Sequence, residues 1–323
     1  MESEVVFGTL DRLREVVSGI SDGGEGIAVL NTCVPALTGE DLRSAIGDSG
    51  TIFVDAPGFC GKAEEGIRRA YAALSPAVEP SRAGINIDGL SLLDLFCRGN
   101  LNETERLFRL LGIPVAVRFG MDTYSSLREG AAVHSVSVNP SMNSGIGTSV
   151  GTLLFSDIPE TVGRIAYAFP DADTDAVLRD WERADEQMFY SCDKYLRKFA
   201  PPITAIAAQA SYAAAAKQMM ERYFGSDVPV VLSRNPAPGM VCSVDYPEII
   251  QRIRSVSPDL LLGSSFEARG FPNTAFFGIT APERSRISLA ARPFAGIEGG
   301  LTLIEGSLNA LMSMQARDGR RAL

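Results

Sequence analysis

The residues able to do redox or metal chemistry in this 323-residue chain are few and widely spaced. There are five cysteines, Cys33, Cys60, Cys97, Cys192 and Cys242, and one histidine, His134. A single histidine excludes a multi-histidine zinc site and an H-E-x-x-H helix, and leaves at most one candidate for a Ser-His-Asp triad. The cysteines form no C-x-x-C pair. An odd, dispersed set behind the charged start MESEVVFGTLDRLREVV is not the pattern of a secreted disulfide framework. The chemistry open to the chain rests on isolated thiols, carboxylates, backbone groups or a borrowed cofactor.

Among these, Cys33 follows an apolar run at Ile27–Leu30, and Cys60 lies in the loop after a second run at Thr51–Asp55. In a parallel sheet, ligands bind beyond the carboxyl ends of the strands, so two neighbouring strands here would bring both thiols to one crevice. Thr38, Gly39, Glu40 and Asp41 read as a capping-box-like helix start with Thr38 as the cap. A thiol just before a helix N-terminus gains thiolate character, which suits metal ligation. The plainer reading of an isolated cysteine is a small buried hydrophobe. Ser264, Ser265, Phe266 and Glu267 follow the run Leu260–Gly263 and are the best C-terminal candidates for ligand contact. Gly145–Gly151 (GIGTSVG) misses the G-x-G-x-x-G spacing by one residue. It suits close packing better than phosphate binding, although its N–H groups could meet an anion. His134 reads as a satisfied structural histidine. Glu40, Asp41, Asp55, Asp88 and Glu267 sit at strand or loop ends, as carboxylates do in any α/β protein.

The elements that must position these groups alternate regularly. Strands are expected at Ile27–Leu30, Thr51–Asp55, Ile85–Asp88, Val115–Phe119, Ser135–Val138, Ile203–Ala207, Val228–Ser233, Leu260–Gly263 and Ala275–Ile279. Helical patterns cover Thr9–Val17, Gly39–Ile46, Lys62–Leu74, Asn102–Leu111, Ser211–Tyr223, Pro247–Val256 and Gly300–Met314. Asn102 is the expected cap of its helix and Gly112 its stop. Strand–helix alternation implies an α/β chain of successive Rossmann-like parallel-sheet domains with helices on both faces. Ala77–Ala83 reads as a linker, and the charged stretch Asp171–Lys198 as a helical bridge. Three units are expected: 1–80 with Cys33, 81–200 with the bridging helices, and 201–323. The first has two strong strands, a poor independent core, so it either pairs with something or lacks a part.

Composition narrows the partners. Lys plus Arg number 30 against 39 Asp plus Glu, a net charge of −9, which disfavours nucleic acid. The 46% hydrophobic content supports buried cores, and no uncharged apolar run approaches a membrane span. A cytoplasmic protein with no nucleic-acid or membrane partner is expected.

Several of these motifs, in order, resemble those of nitrogenase component 1-like oxidoreductases. They run from Glu4-Val5-Val6-Phe7-Gly8 through Asn31-Thr32-Cys33 to Thr38-Gly39-Glu40-Asp41. Asp55 with Gly58-Phe59 and Gly61, Ile85-Asn86-Ile87-Asp88-Gly89, and Gly99-Asn100 with Glu103 follow, then Ser141-Met142-Asn143. The last are Pro258-Asp259-Leu260 with Gly263-Ser264-Ser265 and Glu267, and Arg292-Pro293-Phe294-Ala295-Gly296 with Glu298-Gly299-Gly300.

The resemblance implies three Rossmann-like domains in a homodimer or a complex with a paralogous subunit. It also implies iron–sulfur clusters, here [4Fe–4S], shared across an interface, and an ATP-dependent iron–sulfur reductase protein as electron donor. Within the family the chain looks most similar to the subunit that reductively cyclises the nickel tetrapyrrole of methanogens. The expected function is a reductase subunit for a tetrapyrrole or related cofactor, with Cys33, Gly39, Glu40, Ser264, Ser265 and Glu267 at the cofactor. Cys33 is the cluster ligand that carries over, and Cys60 is added by counting: two chains across a twofold axis would then supply the four ligands a four-iron cluster takes. The first domain is short relative to the family, whose other cluster cysteines lie upstream. Where dinitrogen reductases place the cysteine and histidine ligands of their cofactor, Val138 and Arg286 align, so dinitrogen reduction is not expected. The alternatives are a non-catalytic scaffold or partner of a cysteine-complete paralogue, and a cytoplasmic small-ligand binding module.

Overall fold

The computed structural model describes residues 8–20, 26–47 and 50–317, so the Glu4–Phe7 part of the resemblance lies outside the described residues. The chain folds as α/β around three sheets in which every strand pair is parallel. The first sheet pairs β1 (Ala28–Asn31) with β2 (Ile52–Asp55). The second has the order β4 (Val115–Arg118), β3 (Ile85–Asp88), β5 (His134–Ser137), β6 (Thr148–Thr152). The third has the order β11 (Ala275–Gly278), β10 (Leu260–Gly263), β7 (Thr204–Ala208), β8 (Val230–Ser233), β9 (Val241–Cys242).

The central strands β3, β7 and β10 are buried along their whole length, as strands covered by helices on both faces must be. β1 and β2 are largely open. Leu30, Leu37 and Phe59 stay exposed around them. One apolar core joins the second and third sheets through α5 (Cys97–Leu111), α8 (Thr174–Leu196), α9 (Ala210–Phe224) and α12 (Ile297–Arg317). A smaller core under β4 holds Leu127 of α6 (Tyr124–Arg128) and receives Tyr71 of α4 (Ala63–Leu74), whose ring meets Phe119 edge-on at 5.4 Å. Among the described residues no helix is long and apolar enough to cross a membrane.

Several local expectations are corrected. The helix expected from Asn102 begins five residues earlier, at Cys97, and Gly112 ends it in the left-handed region at φ 72°. Cys33 does not precede a helix; it is the first residue of the short α2 (Cys33–Thr38). Thr38 ends that helix, and Asp41 caps α3 (Leu42–Ile46) by accepting the Ser44 N–H at 3.0 Å. The glycine-rich run contains strand β6, which the small residues hide from a hydrophobicity reading. Close packing there is real: a Cβ on Gly151 would lie 2.3 Å from Thr161 Oγ1. Helix α7 (Ile158–Ala168) went unexpected, although Ile158, Val162 and Ile165 are buried at helical spacing behind a first-turn proline. The stretch 77–83 is fastened to the second sheet. Val78 bridges Ala131, and the Arg82 guanidinium bonds the carbonyls of Ala116 and Gly130.

Candidate functional site

All three sheets present the carboxyl ends of their strands to a common crevice. From the first sheet come Cys33, directly after β1, and the loop 56–62 after β2. The Gly58 N–H donates to Cys33 Sγ at 3.2 Å, two residues from Cys60, and both thiols are exposed. At the end of the same loop, Lys62 Nζ reaches the third sheet, donating to the Arg234 carbonyl at 2.6 Å and lying 3.2 Å from Cys242 Sγ. The other two cysteines are buried away from this place. Burial pushes the Cys192 thiol up to about 12 and raises that of Cys97, which packs 3.6 Å from Met121 Sδ. Neither is a candidate thiolate at neutral pH.

A cavity of about 330 Å³ opens among the three sheets, lined by Lys62 and Glu64, by Asp94 and Met142, and by Gln209 and Arg234. One chain of polar contacts ties its walls together. Asn139 Nδ2 donates to Gln209 Oε1 at 3.0 Å, and Gln209 Nε2 to Glu64 Oε1 at 3.2 Å. Ser211 Oγ donates to Asn139 Oδ1 at 2.6 Å and lies 2.9 Å from Ser141 Oγ. Asp94 Oδ2 accepts the Tyr212 hydroxyl at 2.5 Å, and Oδ1 accepts the Phe96 N–H at 2.9 Å. Burial lifts the Asp94 carboxyl above its ordinary range, although the bonds from Tyr212, Phe96 and Asn139 pull it back. Burial and the neighbouring Asp94 charge together drive the Tyr212 phenol well above its usual value.

The sequence-derived site residues divide into two groups. Cys33 is tied through its Sγ to the loop that carries Cys60, and neither thiol lines the 330 Å³ cavity described above. The others have their polar atoms engaged within the protein. Gly39 sits in the left-handed region at φ 73° and closes α2. Glu40 accepts the N–H and hydroxyl of Thr9, tying α1 (Leu10–Ile20) to the first sheet; those bonds, led by the Thr9 N–H, hold its carboxyl below the usual range. Ser264 and Glu267 form a reciprocal capping box at the start of α11 (Ser265–Gly270), and the buried Glu267 carboxylate takes both oxygens to Arg234 at 2.8 and 2.9 Å. Ser265 Oγ accepts the Arg284 N–H and donates to Glu283. His134 packs edge-on against Phe169 at 5.5 Å, but among the described residues its buried Nδ1 has no hydrogen-bond partner, unlike the satisfied histidine expected.

Asp94, Arg234, Lys62, Asn139 and Gln209 were missed. Each follows a strand or starts a helix at the sheets' carboxyl ends, a positional signal that was legible, but none belongs to a recognisable motif.

The sites do not fit a whole cluster. A four-iron cluster takes four ligands. Among the described residues no three His, Cys, Asp or Glu groups converge to hold a metal ion.

Residues 1–159 match the family Nitrogenase component 1 type Oxidoreductase. Among solved structures, nitrogenase Cp1 at pH 6.5 superposes with a TM-score of 0.73 at 18% identity, over 98% of this chain and 82% of that one. A mutant, Mn-bound periplasmic metal binding protein from candidatus liberibacter asiaticus aligns at 9% identity with a TM-score of 0.41, over 72% of this chain and 99% of that one. No curated protein matches. The fold is nitrogenase-like along nearly the whole chain, and its first 159 residues are similar to the nitrogenase component 1 type oxidoreductase family.

Proposed function

We propose that the chain is a nitrogenase-like reductase subunit that passes electrons from an ATP-dependent iron–sulfur donor to a tetrapyrrole or related cofactor, bound where the three sheets meet. The observation that supports this reading most is the Gly58 N–H aimed at Cys33 Sγ. An N–H donor on a ligating sulfur orients and tunes a cluster ligand. One chain offers Cys33 and Cys60, so the proposed site is shared: a second copy or a paralogous subunit supplies the other ligands. A cluster there would supply one-electron transfer. The chain's own residues prepare the cavity beside it. Burial keeps a proton on the Asp94 carboxyl to higher pH than an exposed aspartate would hold it, next to the space where a substrate sits. Lys62 lines the same walls with Arg234, whose charge Glu267 meets, and the Asn139–Gln209–Glu64 chain links the loops that follow the three sheets.

Anaerobic purification with iron and acid-labile sulfide assays tests the reading. Iron and sulfide that disappear in Cys33→Ala support it. A colourless, iron-free protein that Cys33→Ala leaves unchanged overturns it. If that iron-free protein co-purifies with a cysteine-complete homologue, the chain is a supporting partner subunit instead.

A further inference from the structure

Only four of the 30 Lys and Arg residues are lysines, the cations that can also act as nucleophiles. One of the four, Lys62, is held against a cysteine. Its Nζ donates to Cys242 Sγ at 3.2 Å and to the Arg234 carbonyl at 2.6 Å, joining residues 180 positions apart. Among the described residues no other cysteine has a lysine nitrogen at hydrogen-bond distance. Cys33 Sγ takes the Gly58 N–H, and Cys97 packs on Met121.

The contact follows from the register of the third sheet. Cys242 pairs with Ser233 in the parallel ladder of β8 and β9, and the Ser243 N–H donates to the Ser233 carbonyl at 3.0 Å. Arg234, the residue after β8, therefore presents its carbonyl beside Cys242, and one ammonium group reaches both. Ser243 Oγ donates to Glu248 of α10 (Tyr246–Arg254) at 2.7 Å, which holds the short strand from its other side. Lys62 is fixed from its own end as well. It caps α4, where its carbonyl accepts the Glu65 and Gly66 N–H groups at 3.0 and 3.2 Å. Nitrogen and sulfur are thus kept together while Cys242 stays exposed at the sheet edge, open to a small oxidant.

We propose that Lys62 and Cys242 form a reversible covalent cross-link when the chain meets hydrogen peroxide. In the first step the Cys242 thiol becomes a sulfenic acid and the peroxide is reduced to water. In the second, the Lys62 nitrogen attacks that sulfur. The S–O bond breaks, an S–N bond forms, and water and one proton leave. The sulfur loses two electrons overall, and peroxide takes them. Sulfenic acids condense with a backbone nitrogen in the same way, and an amine is the stronger nucleophile. Two equivalents of thiol reverse the link, returning thiol and amine and forming a disulfide between themselves. The link ties the loop 56–62 of the first sheet to the edge of the third, beside the 330 Å³ cavity that Lys62 lines. It needs neither a cluster nor a substrate, so it does not depend on the reading above.

Peroxide treatment of the full chain, followed by tryptic mass spectrometry, tests the proposal. The linked product is lighter by about 2 Da, the two hydrogens removed. Trypsin does not cleave after a modified lysine, so peptide 44–68 should appear joined to peptide 235–252, and dithiothreitol should separate them. Cys242→Ser and Lys62→Arg should each abolish the joined pair, whereas Cys60→Ser should retain it. A joined pair that is still cleaved after Lys62 and is lost in Cys60→Ser is a disulfide, and overturns the proposal. Cys242 oxidised to sulfinic acid beside an unmodified Lys62, or left untouched by peroxide, overturns it as well.

Discussion

Asn100 Oδ1 accepts the backbone N–H groups of both Phe294 and Ala295, at 2.8 and 2.9 Å, the first of them 194 residues away in sequence. Its amide nitrogen donates to the Tyr212 hydroxyl at 2.8 Å, so one fully buried side chain joins α5, α9 and the loop before α12. One carbonyl oxygen thereby satisfies two N–H groups that have no helical partner. Replacing Asn100 with Leu leaves those donors and the phenol without partners in a dry interior. A loss of about 3 kcal/mol is expected, read as a lower urea midpoint at constant m-value. An unchanged midpoint would mean that water enters and replaces the side chain.

The adjacent glycine makes a second prediction. Gly99 exists at this position because helix α5 approaches the Arg292 backbone too closely for any Cβ. Gly99→Ala should cost about 2 kcal/mol through a forced backbone shift, although alanine is the better helix former. Gly66, also helical but with open space around its Cβ position, is the control: Gly66→Ala should stabilise by about 0.5 kcal/mol. Equal effects at the two sites would show that the approach is not a real constraint.

These contacts explain which parts of the molecule could be read from sequence. The strands Ile85–Asp88 and Leu260–Gly263 were legible residue for residue, because burial on both faces leaves continuous apolar runs. Strand β6 was not, since its residues TSVGT carry one large apolar side chain and its pairing is set by β5. The motif residues Asn100, Glu103 and Arg292–Gly300 were visible as a recurring set, but their role was not. Glu103 Oε1 accepts the Ile297 and Glu298 N–H groups at the start of α12, and so works with Asn100 as a clamp. The contact between Cys33 and the loop that carries Cys60 follows from reasoning about strand ends. Asp94 and Arg234 escaped because their importance comes from neighbours more than a hundred residues away, Tyr212 in one case, and a cavity wall shared with Lys62 in the other.

Arg234 depends on Glu267, which is 1% exposed and binds it through both oxygens. Glu267→Gln removes the carboxylate but keeps the shape, leaving a half-buried guanidinium without its counter-charge. A loss of about 2 kcal/mol is expected, smaller than for a wholly buried pair because Arg234 retains some access to solvent. Arg234→Gln leaves the more deeply buried partner charged and unpaired, so it should cost at least as much, and the double variant should recover part of the sum. Strict additivity in that double-mutant cycle would show that the two residues are not coupled.

Asp94 supplies the pH dependence. Burial raises its carboxyl in the folded chain, while in the unfolded chain it titrates near the ordinary value of about 3.9. The folded state therefore binds this proton more tightly, and protonation favours folding. Relative to Asp94→Asn, which cannot titrate, the wild-type chain should gain stability as pH falls from 7. That gain is fully present below about pH 3.9 and is lost as pH rises through the folded value. The amide of that variant keeps only one acceptor oxygen, so it also loses the bond from Tyr212 or from Phe96, a cost that does not vary with pH; the charge is read from the pH dependence of the gap alone. Tyr212 itself stays protonated throughout this window, because its phenol lies well above its usual range. Urea midpoints for the two proteins at several pH values between 4 and 7 give the result directly. A gap between them that stays constant over that range would show that the Asp94 carboxyl is no harder to ionise than an exposed one. It would also remove Asp94 as a proton reservoir beside the cavity.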